Sequence, residues 1–172
     1  YPDGLKLLAL EPADKSLQRS VMGMAFTAGD FARAEELCRD GLRASPADVG
    51  LRQLLAEIRR ARGDAAGAAA VLDELIAGPA PPPGALLARA LLYEEGGEPD
   101  KAIPLLREVL ARDKTRQRTA GTRLATVLER AGKPDEAKAV MAEVRRLQDV
   151  EVYGEAIKTQ PTNRAMHVQV AE

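Results

Sequence analysis

The chain has 172 residues, 45% apolar and 30% charged, with a formal charge of −1. This length and apolar content suffice for a continuous core, as one compact domain or as a short repeat array. Interleaved charges of both signs exclude a global field that gathers nucleic acid or an anionic membrane, and the single cysteine, Cys38, excludes an internal disulfide framework.

No apolar run approaches the roughly 20 residues of a membrane span, and the opening Tyr1-Pro2-Asp3-Gly4 lacks signal-peptide architecture. With no initiator Met, the chain reads as a processed product or a fragment. Usage rich in Ala, Arg, Gly and Leu, with Asn163 the only asparagine, points to a GC-rich bacterial gene. The expected compartment is the cytoplasm or the bacterial periplasm.

In chain order, residues 1–14 read as the end of an earlier helix, because Pro12 precedes Pro46 by 34 residues. A regular punctuation follows. The turns Gly29-Asp30, Gly63-Asp64, Gly97-Glu98 and Gly132-Lys133 step by 34, 34 and 35 residues, and five residues after each glycine stands Ala34, Ala68, Ala102 or Ala137. Apolar residues before and after each glycine recur at helical spacing, as in Leu51, Leu54, Leu55 and Ile58, then Ala68, Val71, Leu72 and Leu75. Two helices therefore fit each period. The glycine suits the left-handed residue that ends the first helix, and Asp30 and Asp64 suit the cap of the second. Pro99 and Pro134 stand where a first helical residue loses no hydrogen bond.

The boundaries are 15–48, 49–82, 83–116 and 118–151, with Gln117 as the extra residue of the last step. The second helix of the fourth repeat is predicted to extend to about 159, and 162–172 to start a further helix capped by Thr162-Asn163. The segment Pro79-Ala80-Pro81-Pro82-Pro83-Gly84 reads as a rigid turn between repeats. Pro104, inside a second helix, is expected to cost one hydrogen bond and kink it slightly.

These residues resemble the tetratricopeptide repeat family over most of the chain. The resemblance implies an all-α fold, a right-handed superhelical solenoid of antiparallel helix pairs. The family's small residue in the first helix of a pair corresponds to Ala56, Ala90 and Ala125. Its bulky positions correspond to Leu72, Leu106 and Met141 in second helices and to Tyr93 and Leu128 late in first helices. Met22, Gly121, Arg59 and Arg89 depart from the family pattern and mark places where packing must differ locally.

The resemblance also implies a groove lined by the first helices, with inward residues spaced 3, 4, 3. Those stripes are Ser16, Arg19, Gly23 and Phe26; Gly50, Gln53, Glu57 and Arg60; Gly84, Leu87, Leu91 and Glu94; and Thr119, Thr122, Thr126 and Glu129. Leu87 and Leu91 make its centre apolar, suited to a partner's peptide or amphipathic helix unless a helix of this chain already covers them. Family members that clamp a free C-terminal carboxylate use Lys, Arg and Asn on these stripes. Here only Arg19 and Arg60 appear, so that recognition is not expected.

Catalytic constellations are absent from the sequence. His167, the sole histidine, has no ligands at metal spacing, so neither metal nor cofactor is expected, and Cys38 falls on an inward position without a base. Glu35-Glu36 and Glu94-Glu95 point about 100° apart and read as solvated faces. Arg112, Lys114, Arg116, Arg118 and Arg123 surround one turn without interleaved aromatics, so nucleic acid is not an expected partner. The expected function is a protein-binding scaffold and not an enzyme. The alternatives are a homo-oligomeric self-assembly module, using its open ends or the tail from Lys158 to Glu172, and the regulatory or targeting arm of a larger enzyme.

Overall fold

The computed structural model describes residues 1–11 and 14–159, with side chains as far as residue 150. Pro12, His167 and the helix expected over 162–172 lie outside the described residues. Helices follow in sequence: α1 (Pro2–Leu10), α2 (Lys15–Thr27), α3 (Phe31–Ala44), α4 (Val49–Ala61), α5 (Ala65–Ile76), α6 (Pro83–Glu95), α7 (Pro99–Arg112), α8 (Gln117–Arg130) and α9 (Pro134–Thr159). The described residues contain no strand, and the fold is an all-α succession of helix pairs.

Local chemistry sets these boundaries. Gly29, Gly63, Gly97 and Gly132 adopt φ of 77°, 83°, 72° and 74°, where a side chain would be strained, and no other described residue has positive φ. After Gly29 the amide of Asp30 donates to Ala25 and that of Gly29 to Phe26, the paired bonds of a Schellman ending. The same pair recurs at Asp64 and Gly63, and at Lys133 and Gly132. Asp14, Asp30, Asp48 and Asp64 then accept hydrogen bonds from first-turn amides of α2, α3, α4 and α5. Pro83, Pro99 and Pro134 open α6, α7 and α9. Helix α7 continues through Pro104 to Arg112.

The chain divides into two compact units, Tyr1–Gly96 and the residues from Gly97 on. In the first, Val21, Met22, Ala25, Ala34, Cys38 and Ile58 are at most 1% exposed and form a core with Leu51 and Leu55. Met22, large where the family is small, is thus accommodated as core. A second cluster joins Ala56, Ala68, Leu72, Ala85 and Leu92 from α4, α5 and α6. In the second unit α8 packs on both α7 and α9. Leu106, Val109, Leu124, Val127 and Leu128 are at most 1% exposed there. Truncating such a side chain to alanine costs about 2–5 kcal/mol.

Two side chains differ from expectation. Glu35, read as solvated, is only 3% exposed because guanidiniums from α3, α4 and the turn after α4 enclose it. Met141, read as a packed bulky residue, is 37% exposed. The inward stripe of α9 runs through Ala137, Val140, Val144 and Leu147, a 3, 4, 3 spacing that leaves Met141 at its edge. At Gly121, already a departure from the family pattern, α9 fills the space: a Cβ there would lie 2.1 Å from a Val144 methyl.

Candidate functional site

The stripe residues are accessible on every first helix. Within the first unit, Ser16, Arg19 and Gly23 of α2 are exposed, and so are Gly50 and Glu57 of α4. Phe26, Gln53, Arg60, Gly84, Leu87, Leu91 and Glu94 are half-buried. Their neighbours turn inward: Leu86, Ala90 and Leu92 of α6 are 2%, 0% and 7% exposed, as the 3.6-residue period requires. Leu87 and Leu91 are thus partly covered.

Helices α4 and α6 are held side by side. Arg60 Nη1 donates to Glu95 Oε1 at 2.7 Å. Gln53 lies against Gly84 so closely that a Cβ there would come 2.8 Å from Nε2. Arg19 makes a longer contact, 3.4 Å, with Asp48 at the start of α4. Phe26 meets Phe31 edge to face at 5.6 Å between centroids and packs on the core, so it serves structure as much as surface. On α6, Arg89 binds Asp73 at 2.7 Å and stacks 3.9 Å over Tyr93. The arginine at a normally apolar position is therefore satisfied.

The second unit carries its own stripe. Thr119, Thr122, Thr126 and Glu129 of α8 are all exposed, and the Thr126 hydroxyl donates to the Thr122 carbonyl at 3.1 Å. The basic string around the preceding turn is largely used internally. Arg112 pairs with Glu108 and Arg116 with Asp113. The side-chain amide of Gln117, the extra residue of the period, donates to the Leu110 carbonyl at 3.2 Å. Lys114 and Arg118 line a cleft of about 340 Å³ with Val144 and Leu147.

Among the described residues no group of three or more His, Cys, Asp or Glu is placed to hold a metal ion, and no helix is long and apolar enough to cross a membrane. Cys38 is fully buried, its thiol donating to the Leu51 carbonyl at 3.1 Å. Burial, with the charges of Glu35 and Asp48, pushes the thiol up to about 11, opposite to what a nucleophile needs.

Sequence reasoning missed the Glu35 cluster. Its carboxylate accepts from Arg39 Nη2 at 2.7 Å, from Arg59 Nε at 3.2 Å and from Arg62. Burial raises the affinity of Glu35 for its proton, but the Arg59 hydrogen bond and the charges of Arg39 and Arg62 outweigh this and hold the carboxyl below its ordinary 4.5. The available signal was Arg59 itself, a charge at an inward position that requires a buried partner.

A family model described as tetratricopeptide repeat matches residues 25–92 and 93–160. A crystal structure of MamA protein is similar to this chain with a TM-score of 0.69 and 18% identity, over 87% of this chain and 81% of that one. TTC0263, a thermophilic TPR protein of Thermus thermophilus, gives 0.63 and 22%, over 98% and 85%. Nearly identical TPR-like repeats from a Podosopora anserina protein give 0.62 and 17%, over 90% and 92%. At these identities the likeness is one of fold. No curated protein matches the sequence significantly.

Proposed function

The chain belongs to the tetratricopeptide repeat family, and from that premise we propose that it is a scaffold binding a partner's peptide or helix along the stripes of α4 and α6. Folds of this type generally serve protein–protein interaction. The observation that supports this placement is the accessible strip of Gln53, Glu57, Arg60, Leu87, Leu91 and Glu94, flanked by buried neighbours and braced by the Arg60–Glu95 pair. A half-apolar strip with charged edges suits an amphipathic partner, which desolvates the leucines and meets the charges at its rim.

Capture of partners by the intact chain, compared with Leu87→Asp/Leu91→Asp, tests the reading. The double variant is expected to lose at least about 90% of the captured partner, since each aspartate leaves an unpaired charge against the incoming apolar face. Because both leucines are half-buried, Glu57→Arg is the second variant. Glu57 is exposed, and its reversal is expected to reduce capture with the melting temperature unchanged. Full capture by both variants would refute the groove.

Self-assembly is favoured by a separate observation. Leu7 and Leu10 of α1 are 48% and 79% exposed, and Met141 and Val150 of α9 are 37% and 49% exposed. Exposed apolar side chains on the helices of a repeat protein invite association. Sedimentation of the chain is expected to grow with concentration and to revert toward monomer in Leu10→Glu. A monomer at every concentration would exclude this reading.

A further inference from the structure

The turn from Arg112 to Arg118 carries four cations, and the carboxylates beside it serve only two of them: Glu108 pairs with Arg112 and Asp113 with Arg116. Lys114 and Arg118 are exposed, and among the described residues no carboxylate engages either. Both border the cleft of about 340 Å³ formed by this turn, the start of α8 and the middle of α9. The rest of its described lining is neutral: the hydroxyl of Thr115, the amides of Gln117 and Gln148, and the side chains of Val144 and Leu147.

Charge and apolar surface therefore meet in one place. Val144 is 3% exposed and Leu147 half-buried, so α9 supplies an apolar wall, while the turn and the start of α8 supply the cations. The Gln117 amide donates to the Leu110 carbonyl at 3.2 Å and ties the start of α8 to α7. No side chain caps that start, so the positive end of the α8 dipole adds to the charge of Lys114 and Arg118. A carboxylate seated there gains charge-assisted contacts, and an apolar neighbour on the same segment desolvates Leu147. A phosphate backbone would use the cations alone, and no aromatic side chain lines the cleft to stack a base. The volume lies in the range of ordinary ligand pockets, roughly 300–1,000 Å³, which admits a few side chains of a peptide.

We propose that this cleft docks a partner's peptide segment in which aspartate or glutamate adjoins a leucine-like side chain. The carboxylates meet Lys114 and Arg118, and the apolar side chain meets Leu147. The surface belongs to the second unit and goes beyond the groove reading. It requires neither Leu87 nor Leu91, so Leu87→Asp/Leu91→Asp is expected to retain it.

The test uses the intact chain and the peptide Asp-Leu-Glu-Asp-Leu-Glu, labelled with fluorescein at its amino end and amidated at the other. Anisotropy is followed at about 0.1 M salt, where charges are screened beyond about 10 Å. Saturable binding of one peptide per chain is expected, with none when asparagine and glutamine replace the acids. Serine in place of both leucines is expected to weaken binding about fivefold or more, through lost apolar burial. Lys114→Gln/Arg118→Gln is expected to weaken it about tenfold or more, because two charge-assisted contacts are lost, and an unchanged helical spectrum checks its fold. Lys133→Gln/Lys138→Gln, which removes two exposed cations at the start of α9, is expected to change affinity less than twofold. Glu151 follows Leu147 by four positions, and Glu151→Gln is likewise expected to stay within twofold. Absence of saturable binding, an equal loss in the two double variants, undiminished binding of the serine peptide, equal competition by polyphosphate or single-stranded RNA, or a gain beyond twofold in Glu151→Gln would each overturn the proposal.

Discussion

Gly121→Leu is expected to destabilise the second unit by about 3 kcal/mol, lowering its melting temperature by roughly 10–20 °C. Even a Cβ at this position would stand 2.1 Å from a methyl of Val144, well inside any tolerated contact. Val144 is β-branched and 3% exposed, so it cannot swing away, and Leu110 closes the other side at 3.6 Å. The helices must separate, and the cost includes the surrounding core of Leu124 and Leu128. Gly121→Ala is expected to cost less, because roughly 1 kcal/mol of helix propensity offsets part of the overlap. Val144→Ala combined with Gly121→Ala should recover part of that loss, as coupled neighbours do. Thermal denaturation followed by circular dichroism reads all of these, and an unshifted Gly121→Leu would mean that α8 and α9 do not approach so closely.

Glu35→Ala carries the second large effect, about 2 kcal/mol of lost stability measured by denaturant titration. Removing one partner of a buried ion pair costs about 3–5 kcal/mol when the other charge stays buried. Here Arg39 and Arg62 are half in solvent and can hydrate, which places the loss below that range. Arg62→Ala is expected to cost no more than about 1 kcal/mol, because Arg39 and Arg59 continue to serve the carboxylate. The pH dependence follows from the same arrangement. Glu35 is held below its ordinary 4.5 in the folded chain, so its contribution is complete above that value. It declines as pH falls through the lower folded value, where protonation breaks the arginine contacts. Glu35→Gln should therefore flatten part of the acid limb of the stability curve, and an identical acid limb in the variant would show that the carboxylate is not engaged.

The candidate surface was only partly legible in the sequence. The spacing of Gln53, Glu57 and Arg60 on one helix follows from its period, but how far Leu87 and Leu91 are covered depends on packing that no local pattern encodes. The close approach of Gln53 to Gly84 and the Arg60–Glu95 bond join helices whose residues lie about a repeat apart. Met141 shows the opposite case: resemblance placed it among packed residues, and the inward stripe of α9 passed beside it.

What the sequence by itself determined was the succession of helix stops and starts. Each depends on atoms within a few residues: a left-handed glycine, the Schellman bonds beside it, an aspartate accepting first-turn amides, or a proline opening the next helix. Repetition at 34 or 35 residues made the pattern recognisable as helix pairs. Only the tertiary structure decided that Glu35 is buried and Gly121 filled by Val144. Arg59 and Arg62 lie 24 and 27 residues from Glu35, and they meet it because α3 and α4 pack together. A carboxylate next to another on a helix is ordinarily solvated, and burial becomes favourable only when distant guanidiniums arrive to replace its water.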